Sequence, residues 1–207
     1  MKVLIYISRL LSALLHPFFV PTIALFVLFS LNIHISFTLT PKGKQVLLIL
    51  VLINTAFLPM LMVLLLKKTR LISSIALRER QDRIIPLLIG TAIYIANYFL
   101  LLRIDLHPLI NIYFAGATLV VLAALVFTLW LKISLHMMGI GAVSAFFYSI
   151  ALIVPSNFLP LIAASFVLSG LLGSARLILE SHNASQVFAG FFVGFGVMIV
   201  LFLYVAF

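Results

Sequence analysis

The sequence contains no cysteine and little charge of either sign. Without cysteine, disulfide bonds, thiolate metal sites and a cysteine nucleophile are excluded. Charged residues make up 8% of the 207 residues and hydrophobic residues 65%, which excludes a soluble globular domain. The acidic residues number 4, against 13 lysines and arginines. No basic stretch outside the apolar runs is long enough to follow a phosphate backbone, so nucleic acid is not an expected partner.

Apolar runs dominate what the sequence does contain. Many are close to the ~20 residues that cross a bilayer as an α-helix. The predicted membrane helices cover residues 10–31, 46–66, 86–102, 109–131, 137–154, 158–173 and 187–207. Because the turn at Pro155 is short, we expect six to seven spans in an all-α, polytopic bundle. A single transmembrane domain over residues 1–207, surrounded by lipid, is therefore predicted, with no particular oligomeric state indicated.

Three polar clusters interrupt the apolar runs, at residues 67–83, 132–136 and 174–186. With seven spans, all three lie on the N-terminal side of the membrane, although they are far apart in the chain. A charged group at the bilayer centre costs at least ~2.5–3.5 kcal/mol, so ionisable residues between membrane helices are usually functional. Arginine has forked donors that match phosphate oxygens, and histidine titrates near neutral pH.

The spacing within the clusters predicts which side chains meet. Lys132 and His136 are four residues apart, as are His182 and Gln186, so each pair shares a face if the segment is helical. Gln186 can then accept a hydrogen bond from one ring nitrogen of His182 and leave the other directed at a substrate. This set fits phosphoryl transfer, in which positioning and charge neutralisation do most of the catalysis.

Other polar residues have simpler interpretations. His16 precedes Pro17 in the first predicted helix. We expect it to bond a backbone carbonyl near a proline kink, with a place beside the site as the alternative. Glu180 and Asp82 are expected to balance neighbouring arginines. A histidine–carboxylate metal site has no supporting ligand spacing, so no metal is expected. The basic residues typical of topology determinants are Lys67, Lys68, Arg70 and Arg80.

Two glycines of the last predicted helix have a spacing typical of helix packing. Gly190 and Gly194 are four residues apart, so both lie on one face of that helix. Small residues at this spacing let two membrane helices approach closely. We therefore predict a packing role for them.

The most specific pattern lies in residues 174–186. It reads Ser174-Ala-Arg176, five residues, His182, three residues, Gln186, and an apolar helix containing glycines follows. The pattern resembles the third motif, Ser-Arg-x5-His-x3-Asp, of the type 2 phosphatidic acid phosphatase family. Gln186 stands where that family has aspartate; the amide can orient the histidine but adds no charge.

Two further segments resemble the other motifs of that family. Lys132-Ile-Ser134-Leu-His136 is similar to the second motif, Pro-Ser-Gly-His, without its proline and glycine. Residues 78–83, followed by Pro86, are similar to the first, Lys-x6-Arg-Pro, with two isoleucines inserted before the proline. In order and spacing the resemblance extends from about residue 70 to residue 207.

The resemblance implies a metal-independent lipid-phosphate phosphatase that needs no cofactor and cleaves a phosphomonoester or pyrophosphate of a lipid. His182 is then the nucleophile that becomes a phosphohistidine, oriented by Gln186, and His136 is the acid that protonates the leaving group. The residues implied to bind phosphate are Arg78, Arg83, Lys132, Ser134 and Arg176.

Two alternative functions stay open. The first is a catalytically weak relative that binds or transports an anionic lipid, because Gln186 replaces the family's aspartate. The second is an unrelated channel or transporter whose basic residues attract anions. For the channel or transporter the site is expected at a different depth, since transporter sites lie near the bilayer midplane.

The distribution of charge bears on location. The side with the polar clusters carries ten lysines and arginines, against three on the other side. The positive-inside rule places such a side in the cytoplasm. Bacterial members of the family that the sequence resembles commonly act on the outer face of the inner membrane. We expect an integral protein of a prokaryotic cytoplasmic membrane, with the sidedness of the site left open.

Overall fold

The computed structural model describes residues 1–77 and 79–206, and these segments form helices without a β-strand. The α-helices are α1 Lys2–Leu14, α2 Val20–Ser30, α3 His34–Phe37, α4 Pro41–Leu52, α5 Leu58–Lys68, α6 Ile84–Leu101, α7 Pro108–Thr128, α8 Leu135–Ile153, α9 Leu159–Ile178 and α10 Ala184–Ala206. A π-helix, Ile53–Phe57, joins α4 to α5, and a 3₁₀ turn, Gln81–Arg83, precedes α6.

Six helical segments of the described chain are long and apolar enough to cross a bilayer. This confirms the predicted polytopic helical bundle. The segments are Pro41–Lys68, Gln81–Leu101, Pro108–Thr128, Leu135–Ile153, Leu159–Ile178 and Ala184–Val205.

The prediction of one continuous first helix over residues 10–31 is wrong. Helix α1 ends at Leu14 and α2 begins at Val20, because Pro17 has no N–H to donate and its ring obstructs the preceding turn. Pro21 is tolerated because it lies in the first turn of α2. Helix α2 has 11 residues and is about 16 Å long, too short to span alone.

The second span is also irregular. Pro59 cannot donate to the carbonyl four residues earlier, and the π-helix lies in the turn just before it. Two polar side chains of the π-helix fasten it to neighbours. Asn54 Nδ2 donates to Asn97 Oδ1 (2.8 Å), and the Thr55 hydroxyl donates to the Phe18 carbonyl (3.1 Å). The break between α1 and α2 is thereby held against the second span.

Different loops lie at the two ends of the bundle. Segments 69–77, 129–134 and 179–183 meet at what we call the cluster end. Arg80 donates to the Thr128 carbonyl (3.0 Å) and the Ser134 N–H to the Gln186 carbonyl (3.3 Å). The opposite, far end includes His34, whose ring centroid is 6.3 Å from that of His107.

Helix α8 lies at the centre and contacts α10 backbone to backbone. A Cβ added at Gly194 would lie 2.0 Å from the Met138 carbonyl oxygen, and one at Gly141 2.4 Å from that of Phe191. At Gly190 it would lie 2.7 Å from the Ser134 oxygen. These distances confirm the predicted packing role of Gly190 and Gly194, and they bring the start of α8 against the start of α10.

Gly194→Ala should therefore destabilise the bundle. A methyl group cannot fit against a backbone oxygen unless α8 and α10 move apart, and overpacking typically costs about 1–3 kcal/mol. We expect a lower denaturation temperature in detergent micelles. The matched control is Gly196→Ala, whose added Cβ meets no atom within 4 Å. Equal denaturation temperatures for the two variants would contradict the packing.

Candidate functional site

The segment that resembles the third motif begins with a helix cap. Asn183 caps α10: its Oδ1 accepts from the Gln186 N–H (3.0 Å), and its own N–H donates to Gln186 Oε1 (3.4 Å). This reciprocal pair is a capping box, which fixes the start of the helix. Gln186 therefore has a structural role as well as a position beside the candidate nucleophile.

His182 is held by the same glutamine. Its Nδ1 lies 2.9 Å from Gln186 Oε1, which confirms the predicted hydrogen bond between side chains four residues apart. Because the Asn183 N–H donates to Oε1, this atom is an acceptor, and His182 Nδ1 must carry the proton. In the neutral ring, Nε2 then holds the free lone pair, and it makes no hydrogen bond to the described residues.

The surroundings of His182 keep its ring neutral. Burial lowers the pKa of His182 to about 4. The hydrogen bond to Gln186 opposes this shift, whereas the positive charges of Arg83, Arg176 and Lys132 add to it. At pH 7 the ring is therefore a neutral base with an available lone pair.

Arg83 is fixed by backbone carbonyls. Its side chain is 7% exposed, Nε donates to the Leu77 carbonyl (2.8 Å), and one terminal nitrogen donates to the Ile133 carbonyl (3.0 Å). The guanidinium thus links two loops of the cluster end. Its other terminal nitrogen has no hydrogen-bond partner among the described residues.

Arg176 lies in the last turn of α9, which continues to Ile178 rather than ending at the predicted residue 173. Its Nε is buried and has no hydrogen-bond partner in the described chain. Within that chain, no carboxylate acts on the charge of Arg176 or Arg83. The Asp82 carboxylate accepts from the Ser73 N–H (3.1 Å), and Arg78, one of the arginines that it was expected to balance, lies outside the described residues.

His16 and His136 lie next to each other at the break between α1 and α2. His136, in the first turn of α8, donates from Nε2 to the Ser12 carbonyl (3.0 Å). The His16 ring packs edge-on against it, with centroids 5.1 Å apart. The expected hydrogen bond from His16 to a backbone carbonyl is not formed within the described residues. Instead, His16 Nδ1 accepts from the Phe18 N–H (3.3 Å), which has no helical partner because the helix is interrupted there.

One cavity of about 480 Å³ brings these groups together. Arg83, His136, Arg176 and His182 all line it, so the structure gathers residues from all three polar clusters. His16 also lines it, which agrees with the alternative that this residue lies beside the site. The polar groups occupy the cluster end of the cavity, where Arg83 and Arg176 are near enough for the charge of one to act on the other.

The other predicted phosphate-binding residues are placed differently. Lys132 and Ser134 do not line the cavity, although the charge of Lys132 reaches His182. The Ser134 hydroxyl is fully buried and has no hydrogen-bond partner in the described part of the chain. Arg78 lies outside the described residues. Within those residues, no group of three or more histidine or carboxylate side chains could hold a metal ion.

Comparisons with models of known protein families, with characterised proteins and with solved structures found no match for this chain. The resemblance to the type 2 phosphatidic acid phosphatase family therefore rests on the three motifs alone.

The Arg176→Met variant should show two effects of this guanidinium, one on the stability of the fold and one on anion binding. It removes a charge that has no counterion, and an uncompensated charge away from water destabilises a protein. The variant should denature at a higher temperature than wild type in buffer without phosphate. Orthovanadate should raise the denaturation temperature of wild type and have little effect on the variant.

The control for this experiment is Arg103→Met, at an exposed position of the far end. It should keep the full response to vanadate. An Arg176→Met protein that responds to vanadate like wild type would contradict an anion site at this guanidinium.

Proposed function

We propose that this integral membrane protein is a lipid-phosphate phosphatase that works through a phosphohistidine at His182 without a metal ion. The observation that carries the proposal is the unprotonated Nε2 of His182 in a cavity with two guanidinium groups, whose charges no carboxylate of the described residues balances. The resemblance to the lipid-phosphatase motifs supports the same chemistry.

In the first step, His182 Nε2 attacks the phosphorus atom and the bond to the lipid oxygen breaks. Arg83 and Arg176 neutralise the phosphoryl oxygens, which carry the negative charge during transfer. The leaving lipid oxygen takes a proton from His136. The product is a lipid alcohol and a phosphoryl group on His182.

In the second step, water attacks the phosphoryl group and the nitrogen–phosphorus bond breaks. His136, now neutral, accepts the proton of the attacking water, and inorganic phosphate leaves. The Ser12 carbonyl can accept from His136 Nε2 in both the neutral and the cationic ring. His136 can therefore exchange its proton at Nδ1 without losing its orientation.

The position of the polar groups favours an enzyme over a transporter. Arg83 immediately precedes α6, His136 begins α8 and Arg176 ends α9, so all three lie at helix ends. Transporter sites are typically found near the bilayer midplane, between broken helices. A site at helix ends is at the depth of lipid headgroups.

One observation favours a second candidate, a relative that binds or carries an anionic lipid without turnover. Gln186 is neutral, so it orients His182 but gives no ionic stabilisation to a cationic or phosphorylated ring. The same cavity would then bind the phosphate and leave the ester intact.

The excess of lysine and arginine at the cluster end also bears on which side of the membrane this end faces. We propose that the protein resides in a prokaryotic cytoplasmic membrane, with the cluster end facing the cytoplasm. Residues 16–34 run from the cluster end to the far end of the bundle, as the first span of the seven-span prediction would. Each loop therefore lies on the same side of the membrane as in that prediction.

Phosphate release by purified protein tests the proposal. With phosphatidic acid, a phosphatidylglycerophosphate and a polyprenyl pyrophosphate in micelles, at least one substrate should release phosphate at an undiminished rate in EDTA. His182→Ala should lower that rate by roughly 10³-fold or more, because a covalent nucleophile is lost.

The control is His34→Ala, at an exposed histidine of the far end, which should keep the wild-type rate. Full activity of His182→Ala, or loss of activity in EDTA, would refute the mechanism. Vanadate binding without phosphate release from any substrate would support the second candidate.

A further inference from the structure

The cavity continues well beyond its polar end. Along α6 its lining runs from Arg83 through Leu87 and Gly90 to Tyr94, a distance of roughly 16 Å at the helical rise of 1.5 Å per residue. On α10 it reaches Met198, more than three turns from the start of that helix. The polar site is therefore the entrance of a deep channel.

The deep part of the channel offers carbon surface. Two tyrosines line it, Tyr94 from α6 and Tyr113 from α7, and the Tyr113 hydroxyl already donates to the Pro21 carbonyl (3.3 Å). The α7 and α8 lining consists otherwise of apolar side chains and glycine, with His136 at the entrance. A polar ligand would find few hydrogen-bond partners there, whereas a hydrocarbon chain needs none.

The channel also opens toward lipid. Large apolar side chains of its lining are exposed, namely Phe19 at 39%, Met60 at 48%, Leu64 at 45% and Ile75 at 55% exposure. Met60 and Leu64 are four residues apart on α5, so they form one edge of the opening. A ligand can enter sideways from the bilayer.

The shape of the cavity fits a hydrocarbon chain. Its volume is about 480 Å³, and it follows the line of α6 for roughly 16 Å from the polar entrance. We propose that the channel binds a hydrocarbon chain of the lipid phosphate. The proposal deepens the proposed function and rests on its anion site.

Gly90 is the position that tests the channel. It is buried and lines the cavity, yet an added Cβ would meet no atom within 4 Å. A side chain at this position would therefore occupy the channel itself, about 10 Å along α6 from Arg83. A short chain would end before this point and a long chain would have to pass it.

The first experiment compares butyl phosphate with dodecyl phosphate, at equal concentration with the protein in lipid nanodiscs, by their effect on the denaturation temperature. Gly90→Phe should weaken dodecyl phosphate binding by at least tenfold and leave butyl phosphate within threefold of wild type. The control is Gly170→Phe, at an exposed glycine outside the cavity with no atom within 4 Å of its Cβ. It should behave as wild type toward both probes.

The second experiment uses wild-type protein, so it does not depend on the folding of a variant. Dodecyl phosphate with a diazirine at its terminal carbon should photolabel Tyr94, Val121 or Met198, and inorganic vanadate should suppress the labelling. Labelling confined to lipid-facing residues such as Phe99 would overturn the channel, as would equal loss of both probes in Gly90→Phe.

These outcomes separate the channel from the enzyme. If chain-length selectivity and deep labelling occur but no lipid phosphate is hydrolysed, the phosphatase proposal fails and the channel stands. If phosphate is released but Gly90→Phe hydrolyses short and long substrates in the wild-type ratio, the channel fails and the phosphatase stands.

Discussion

Two positive charges at the cluster end have no counterion among the residues that the structure describes, and the proposed chemistry rests on them. Arg83 is nearly buried and Arg176 is partly buried, and in the described chain no carboxylate acts on either. Carbonyl dipoles hold Arg83, but the Nε of Arg176 has no hydrogen-bond partner there. Such an arrangement costs folding free energy unless an anion completes it. A phosphoryl group supplies both the charge and the acceptors that these side chains lack.

The rest of the bundle positions a nucleophile beside those charges. The backbones of α8 and α10 touch at Gly190 and Gly194, which sets the start of one helix against the start of the other. The Asn183–Gln186 capping box then fixes α10, and its glutamine selects the tautomer of His182. One short segment therefore ends a loop, starts a helix and orients the candidate nucleophile. Gln186 completes the cap and orients His182 as a neutral side chain, whereas an aspartate at this position would add a negative charge.

Much of this fold follows from the sequence, because the bilayer fixes the length of each apolar helix. The contact between His182 and Gln186 also follows, since four-residue spacing on a helix brings side chains together. The break after Leu14 was harder to predict, because residues 10–31 are mostly apolar and a proline such as Pro17 can kink a membrane helix without ending it. His16 enters the site through that break, and the sequence had left its role open between the kink and the site. The depth of the channel depends on how six helices pack together, and the hydropathy of a sequence does not predict this packing. The helices are α2, α5, α6, α7, α8 and α10.

The central claim is that His182 carries the phosphoryl group during turnover. Its most direct test is to mix wild-type protein with a lipid phosphate that has a radiolabelled phosphoryl group, stop the reaction in base within one turnover, and map the label by mass spectrometry. The account predicts label on His182 that is stable in base and released by acid, as expected for a phosphohistidine. Release of phosphate without any labelled protein, or label on another residue, would contradict it.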